Sequence, residues 1–187
     1  MGGIVRLVGH DFMDYNRALS TTTQMGADGC IDFDHPTNAG LSDIWSSGRS
    51  LFELHRTKYA WISKADFWVA AANAVIKQTS VNNVFTSYNL GNDLRSKFRW
   101  GRVSRQTCPG SGERLPIPSR CAEVERVFRT QMGLTWKEAV ALLGAHSLGR
   151  GDRDVSQLCS QGSSSWMVHF FCILIISSLL RLSVLGS

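Results

Sequence analysis

Of the 35 charged side chains in this 187-residue chain, 34 lie in residues 1–155, and only Arg181 lies beyond them. That asymmetry divides the chain before any element is assigned. Residues 1–155 carry the mixture of charged and apolar groups from which one domain builds both a core and a wetted surface. Residues 156–187 do not. From Trp166 to Leu185 they read WMVHFFCILIISSLLRLSVL, and the charge-free run Trp166–Leu180 falls short of the roughly 20 apolar residues that cross a bilayer. Segment 166–185 is expected to be either a marginal membrane anchor, with Arg181 snorkelling to its edge, or a tail foreign to the domain.

Within 1–155 the patterning is helical, and no stretch alternates as a strand would. A first helix is expected over 4–14 and a turn-rich loop over 20–38, with GADG and HPTNAG as its signals. Leu41–Tyr59 reads as one amphipathic helix with Gly48 as its weak point. Ser63 with Asp66 three residues on caps the apolar helix ADFWVAAANAVIKQ. Residues 99–120 form an irregular loop rich in Gly, Pro, Ser and Arg, followed by a helix over 120–132. Thr135 and Glu138 make a second capping box, opening a helix whose apolar face is Ala139, Leu142, Leu143 and His146. The expected class is all-α.

The net charge of +5 is spread without a block of like charges, so no nucleic-acid partner is expected. Five cysteines are an odd number. Cys108 and Cys121, flanking a Pro/Gly-rich loop, are the best disulfide candidates by position. The chain opens MGGIVR directly into a helix, with no signal peptide expected, and the compartment is left undetermined.

Chemistry enters with Arg6 and His10 in VRLVGHD. Four residues apart on a helix they share one face, a cation beside a proton shuttle suited to splitting an O–O bond. Asn38 could accept the Nδ1 hydrogen of His10, leaving Nε2 as a base. Asp11, with Gly26, Asp28 and Cys30 of GADGC, offers hard oxygen ligands for calcium. His146 in LLGAHSLGR, flanked by Gly144 and Gly149, leaves room for a flat cofactor against its helix. Each feature alone also has a plainer reading: a solvated arginine, a core histidine, a surface turn.

Taken in order, VRLVGHD, GADG, HPTNAGL, ISKADFWVAA and LTWKEAVALLGAHSLGR resemble the plant, fungal and bacterial haem peroxidase superfamily over about residues 3–155. The loop and calcium pattern resembles its secreted fungal and plant branches, and LLGAHSLGR resembles the ascorbate-peroxidase branch. The resemblance implies that Arg6 is the distal arginine, His10 the distal acid/base and Asn38 the residue that orients it. His146 is then the ligand of haem b iron. Asp11, Gly26, Asp28 and Cys30 correspond to a distal calcium site, and Ser147 to a proximal calcium ligand. The implied activity is reduction of hydrogen peroxide by one-electron oxidation of small donors, in the response to oxidative stress.

Three departures shape what to expect. Gly9 stands where the family carries a bulky aromatic before the distal histidine, which opens space above the iron. Cys30 replaces a hydroxyl ligand, and a thiol is a poor ligand for calcium. The chain starts almost at the distal helix and ends soon after His146, so a domain lacking the first helix and most of the proximal half is expected. Asp152 and Asp154 lie too close to His146 to be the aspartate that orients it in the family. Two alternatives follow: an inactive remnant that binds haem poorly or not at all, or a peroxidase-like protein anchored in a membrane through 166–185.

Overall fold

The computed structural model describes residues 2–47, 50–81, 90–117 and 121–144, and among them every regular element is helical. The elements are α1 (Gly2–Met13), a 3-10 turn (Pro36–Asn38), α2 (Leu41–Ser46), α3 (Leu51–Lys58), α4 (Lys64–Val81) and α5 (Leu90–Lys97). They continue with the single turn α6 (Ser111–Arg114), then α7 (Cys121–Val124) running into a π-helical stretch (Glu125–Gln131), and α8 (Trp136–Leu143). The all-α expectation holds. The described residues fall into two units, 2–14 with 25–113 and 15–24 with 114–144. The boundary expected near residue 155 lies outside the described residues, as does the apolar tail.

The first unit is built on α4. Its buried residues Phe67, Trp68 and Ala72 meet Leu7 and Val8 of α1, Leu41 of α2 and Ile31 of the intervening loop. Around them pack Phe12, Phe33, Ile44, Trp45, Leu51 and Val69. Trp68 is fully buried and meets Trp45 edge-on, with ring centroids 5.2 Å apart. Ser63 caps α4 through its hydroxyl, which accepts the Asp66 N–H at 3.1 Å. The carboxylate of Asp66 looks outward from that turn, accepting from the Gly101 N–H at 2.7 Å and from Arg102 Nη1 at 2.8 Å. Burial works against its charge, but these donors outweigh it and hold Asp66 below the usual carboxylate range.

One long helix was expected over Leu41–Tyr59, and the structure has two. The cause is the serine-rich junction. Ser46 and Ser47 turn their hydroxyls back to the carbonyls of Ser42 and Asp43, at 2.8 and 2.6 Å, while Ser50 caps α3 by accepting the Glu53 N–H. Short polar side chains here offer the backbone an alternative to continuing the helix.

In the second unit the π-helical stretch and α8 bury Val127, Phe128, Ala139 and Leu143. The Thr135–Glu138 capping box is complete: Thr135 Oγ1 accepts from the Glu138 N–H, and Glu138 accepts from the Thr135 N–H at 2.8 Å. Of the helix expected over 120–132, Cys121–Val124 is α-helical and Glu125–Gln131 π-helical, and residue 120 lies outside the described residues.

Candidate active site

Helix α1 divides its faces by the 3.6-residue period. Leu7, Val8 and Asp11 turn inward, while Arg6 and His10 lie together on a half-buried face. The segment following the loop, Thr37–Ala39, lies along that face. Arg6 donates from Nη1 to the Ala39 carbonyl at 2.8 Å and from Nη2 to the Thr37 carbonyl at 2.9 Å. Burial lowers the guanidinium pKa from its usual value. Between those two carbonyls, Asn38 points at His10: its Oδ1 lies 2.8 Å from His10 Nδ1.

The protonation of His10 follows from what holds Asn38. Asn38 is 1% exposed, and its Nδ2 donates to the Asp32 carbonyl at 2.7 Å. A carbonyl only accepts, so the amide nitrogen must face Asp32 and the amide oxygen must face His10. An amide oxygen also only accepts, so the hydrogen of the neutral imidazole sits on Nδ1, and Nε2 is the basic nitrogen. Tautomer and ring orientation are thus set by one buried side chain fixed at both ends. Gly9, beside this pair, faces open space, since a Cβ there would meet nothing within 4 Å.

Behind His10 the same helix anchors the loop that bears GADGC. Asp11 is fully buried, and its two oxygens accept from the Gly29 and Cys30 N–H groups at 3.1 and 3.0 Å. Asp14 Oδ1 accepts from the Gly26 N–H at 2.8 Å, and Asp28 Oδ1 from the Cys30 N–H at 3.0 Å. Asp28 also pairs with Arg105 Nε at 3.1 Å. Burial, together with the neighbouring carboxylates, pushes Asp11 well above the usual range, and burial raises Asp28 as well. Lys64, partly desolvated, is lowered by burial while Asp11 and Asp28 pull it back up. Gly29 seals the approach of this loop to α4. Its φ is +69°, and a Cβ would lie 2.8 Å from the Ala65 nitrogen, so only glycine fits.

Of the calcium ligands expected from sequence, Asp11, Gly26 and Asp28 come together where the GADGC loop meets α1. Among the described residues no cluster of three acidic, histidine or cysteine side chains is arranged to hold a metal. The carboxylates are bonded to loop amides, the Gly26 carbonyl accepts the Asp28 N–H at 2.6 Å, and the charges of Lys64 and Arg105 act on the same carboxylates. Two cysteine expectations are corrected. Cys30 is bonded to Cys108, with Cα atoms 5.7 Å apart, so its sulfur is no calcium ligand. Cys108 forms one disulfide only and is therefore not the partner of Cys121. The position-based pairing failed because it weighed distance along the chain, whereas the bridge closes across 78 residues.

His146 and Ser147 lie outside the described residues. Sequence reasoning missed Asp14, Lys64 and Arg105. Asp14 had a signal, since it sits three residues after Asp11 on the same helical flank; Lys64 and Arg105 had none, being brought to the loop only by the fold.

A family model described as peroxidase matches residues 1–168. The chain is 30% identical over 155 residues to a mitochondrial cytochrome c peroxidase of Candida albicans, covering 80% of this chain and 37% of that protein. It is 35% identical over 162 residues to chloroplastic L-ascorbate peroxidase T of Arabidopsis thaliana, covering 82% and 34%. A mitochondrial cytochrome c peroxidase of Neurospora crassa is 31% identical over 157 residues, covering 82% and 39%. The chain thus spans a little over a third of the length of these relatives. With its Arg6–His10 face and an asparagine seated behind the histidine, the chain belongs to the peroxidase family.

Proposed function

We propose that this chain carries the distal half of a haem-dependent site that reduces hydrogen peroxide at the expense of small one-electron donors, in the response to oxidative stress. One observation carries the reading: Asn38 holds His10 with hydrogen on Nδ1 and its basic nitrogen on Nε2, one helical turn from the Arg6 cation. The side chains suit a haem on this face. A base of fixed tautomer stands beside a cation, and Gly9 puts no bulk between them and an incoming cofactor. Haem, when bound, would supply the iron that receives the peroxide and the electrons for its reduction, with His146 as its proximal ligand.

The chain's own part is proton and charge management. Nε2 of His10 accepts a proton from the peroxide and returns it to the departing oxygen, acting as base and then as acid. The Nδ1–H bond to Asn38 keeps the ring from turning or exchanging tautomers during that transfer. Arg6, held by the Thr37 and Ala39 carbonyls, sets a positive charge where negative charge grows as the O–O bond breaks. Because its anchors are backbone atoms, the cation is in place before the peroxide arrives.

Reconstitution of the full chain with haemin, followed by its Soret band, tests the reading. The free-haemin band is expected to shift on binding, and His146→Ala is expected to abolish that shift. No shift, or a shift that His146→Ala leaves unchanged, would overturn the assignment of the proximal ligand.

A further inference from the structure

Past its first residue, helix α1 carries two glycines, Gly3 and Gly9, and packing explains only one of them. A Cβ on Gly3 would lie 2.6 Å from Cδ1 of Ile44, so the approach of α2 requires a bare backbone there. A Cβ on Gly9 would meet nothing within 4 Å among the described residues. Gly9 is also not one of the glycines of positive φ. A glycine inside a helix costs stability relative to alanine. Neither close approach nor backbone conformation accounts for Gly9.

Its surroundings do. The helical period sets Val5 and Met13 one turn to either side of Gly9, with Arg6 and Phe12 beside them, and His10 is the next residue. All five side chains are half-buried. The Gly9 backbone is thus the floor of a notch, apolar at Val5, Phe12 and Met13 and polar at Arg6 and His10. Arg6 is anchored to the Thr37 and Ala39 carbonyls and His10 to Asn38, so neither polar group swings across to fill it. We infer that the site takes organic hydroperoxides bearing a bulky apolar group. That group lies over Gly9 against Val5 and Met13, and the O–O bond faces Arg6 and His10.

The inference rests on the peroxide-reducing reading proposed above and adds the class of oxidant to it. His10 Nε2 takes the proton of the –OOH group and returns it to the alkoxy oxygen as the O–O bond breaks, so that oxygen leaves as the alcohol. The other oxygen leaves as water, with two electrons from two one-electron donors and two protons from solvent. Burying alkyl or phenyl surface against Val5, Phe12 and Met13 contributes binding that hydrogen peroxide, with no apolar group, does not gain. The notch adjoins the acid/base histidine itself, which assigns its occupant to the peroxide rather than to a donor oxidised afterwards.

Stopped-flow recording of the haemin-loaded full chain tests this by comparing cumene hydroperoxide with hydrogen peroxide. The parent chain is expected to react with both, and G9F to lower the ratio of the two rate constants, cumene over hydrogen peroxide, by about 10–100-fold. Phenylalanine fills the notch and forms helix better than glycine, so circular dichroism should show the fold intact. G9A adds a single methyl group and should lower the ratio less, as the arm least able to disturb α1. A readout without turnover uses the haem-free chain and 2-phenyl-2-propanol, the alcohol that cumene hydroperoxide leaves. It is expected to shift the Gly9 amide and His10 ring signals in ¹⁵N–¹H spectra, and G9F to abolish the His10 shift. Three results would overturn the inference: reaction with hydrogen peroxide but not with cumene hydroperoxide, a ratio that G9F leaves unchanged, or no shift of either signal by the alcohol. Slower donor oxidation in G9F at an unchanged ratio would also overturn it, and would give the notch to the donor. No reaction of the parent chain even with hydrogen peroxide would overturn the proposed function, and this inference with it.

Discussion

Replacing His10 by leucine is expected to slow the reaction of the haemin-loaded chain with hydrogen peroxide by about 10²–10⁴-fold, the range a positioned acid–base group supplies. The resting Soret band should stay where it is, because the proposed iron ligand is His146 and not His10. Leucine keeps the volume and helix propensity of the site while removing both ring nitrogens. The loss therefore reads proton transfer rather than collapse of α1, whose buried face is formed by Leu7, Val8 and Asp11. Stopped-flow recording of the Soret change on mixing with peroxide measures the effect. A rate within a few-fold of the parent chain would remove His10 from the chemistry.

Removing the Cys30–Cys108 bridge is expected to lower stability by about 4 kcal/mol, because the bridge closes a 78-residue loop whose entropy the unfolded chain regains. In a chain of this size that corresponds to a fall in Tm of about 10 °C. The consequence reaches the site. Cys30 belongs to the loop whose amides bond Asp11, the residue next to His10, and Cys30 itself is buried. Thermal unfolding of Cys30→Ala/Cys108→Ala followed by circular dichroism gives the measurement, with the parent chain in dithiothreitol as a second arm. A Tm unchanged in both arms would show that the bridge does not hold the loop.

What could be read from the chain before folding tracks the range of each interaction. The helix starts at Ser63 and Thr135 were legible because a cap and its partner lie three residues apart. The Arg6–His10 face was legible for the same reason, a spacing of one turn. The break between α2 and α3 was legible only as a weak point at Gly48, since helical periodicity runs through Leu41–Tyr59 while the serine hydroxyls at 46, 47 and 50 compete with it locally. Apart from the pairing of Asn38 with His10, long-range partners were not legible. Nothing in the spacing pairs Cys30 with Cys108 or Arg105 with Asp28, and those contacts exist because α4 and the segment behind it fold against the GADGC loop. The resemblance named Asn38 as the orienter of His10. It said nothing of the Asp32 carbonyl, which dictates which end of the amide faces the ring.

That carbonyl is where the account is most exposed to test. Two-dimensional ¹⁵N–¹H correlation of the histidine rings, with His10 identified by the signals lost in His10→Leu, reads the tautomer without haem or peroxide. The neutral His10 ring is expected to carry its hydrogen on Nδ1 with Nε2 unprotonated, and Asn38→Leu is expected to remove that preference. A neutral His10 protonated on Nε2 in the parent chain would contradict the account, because no base would then face the peroxide.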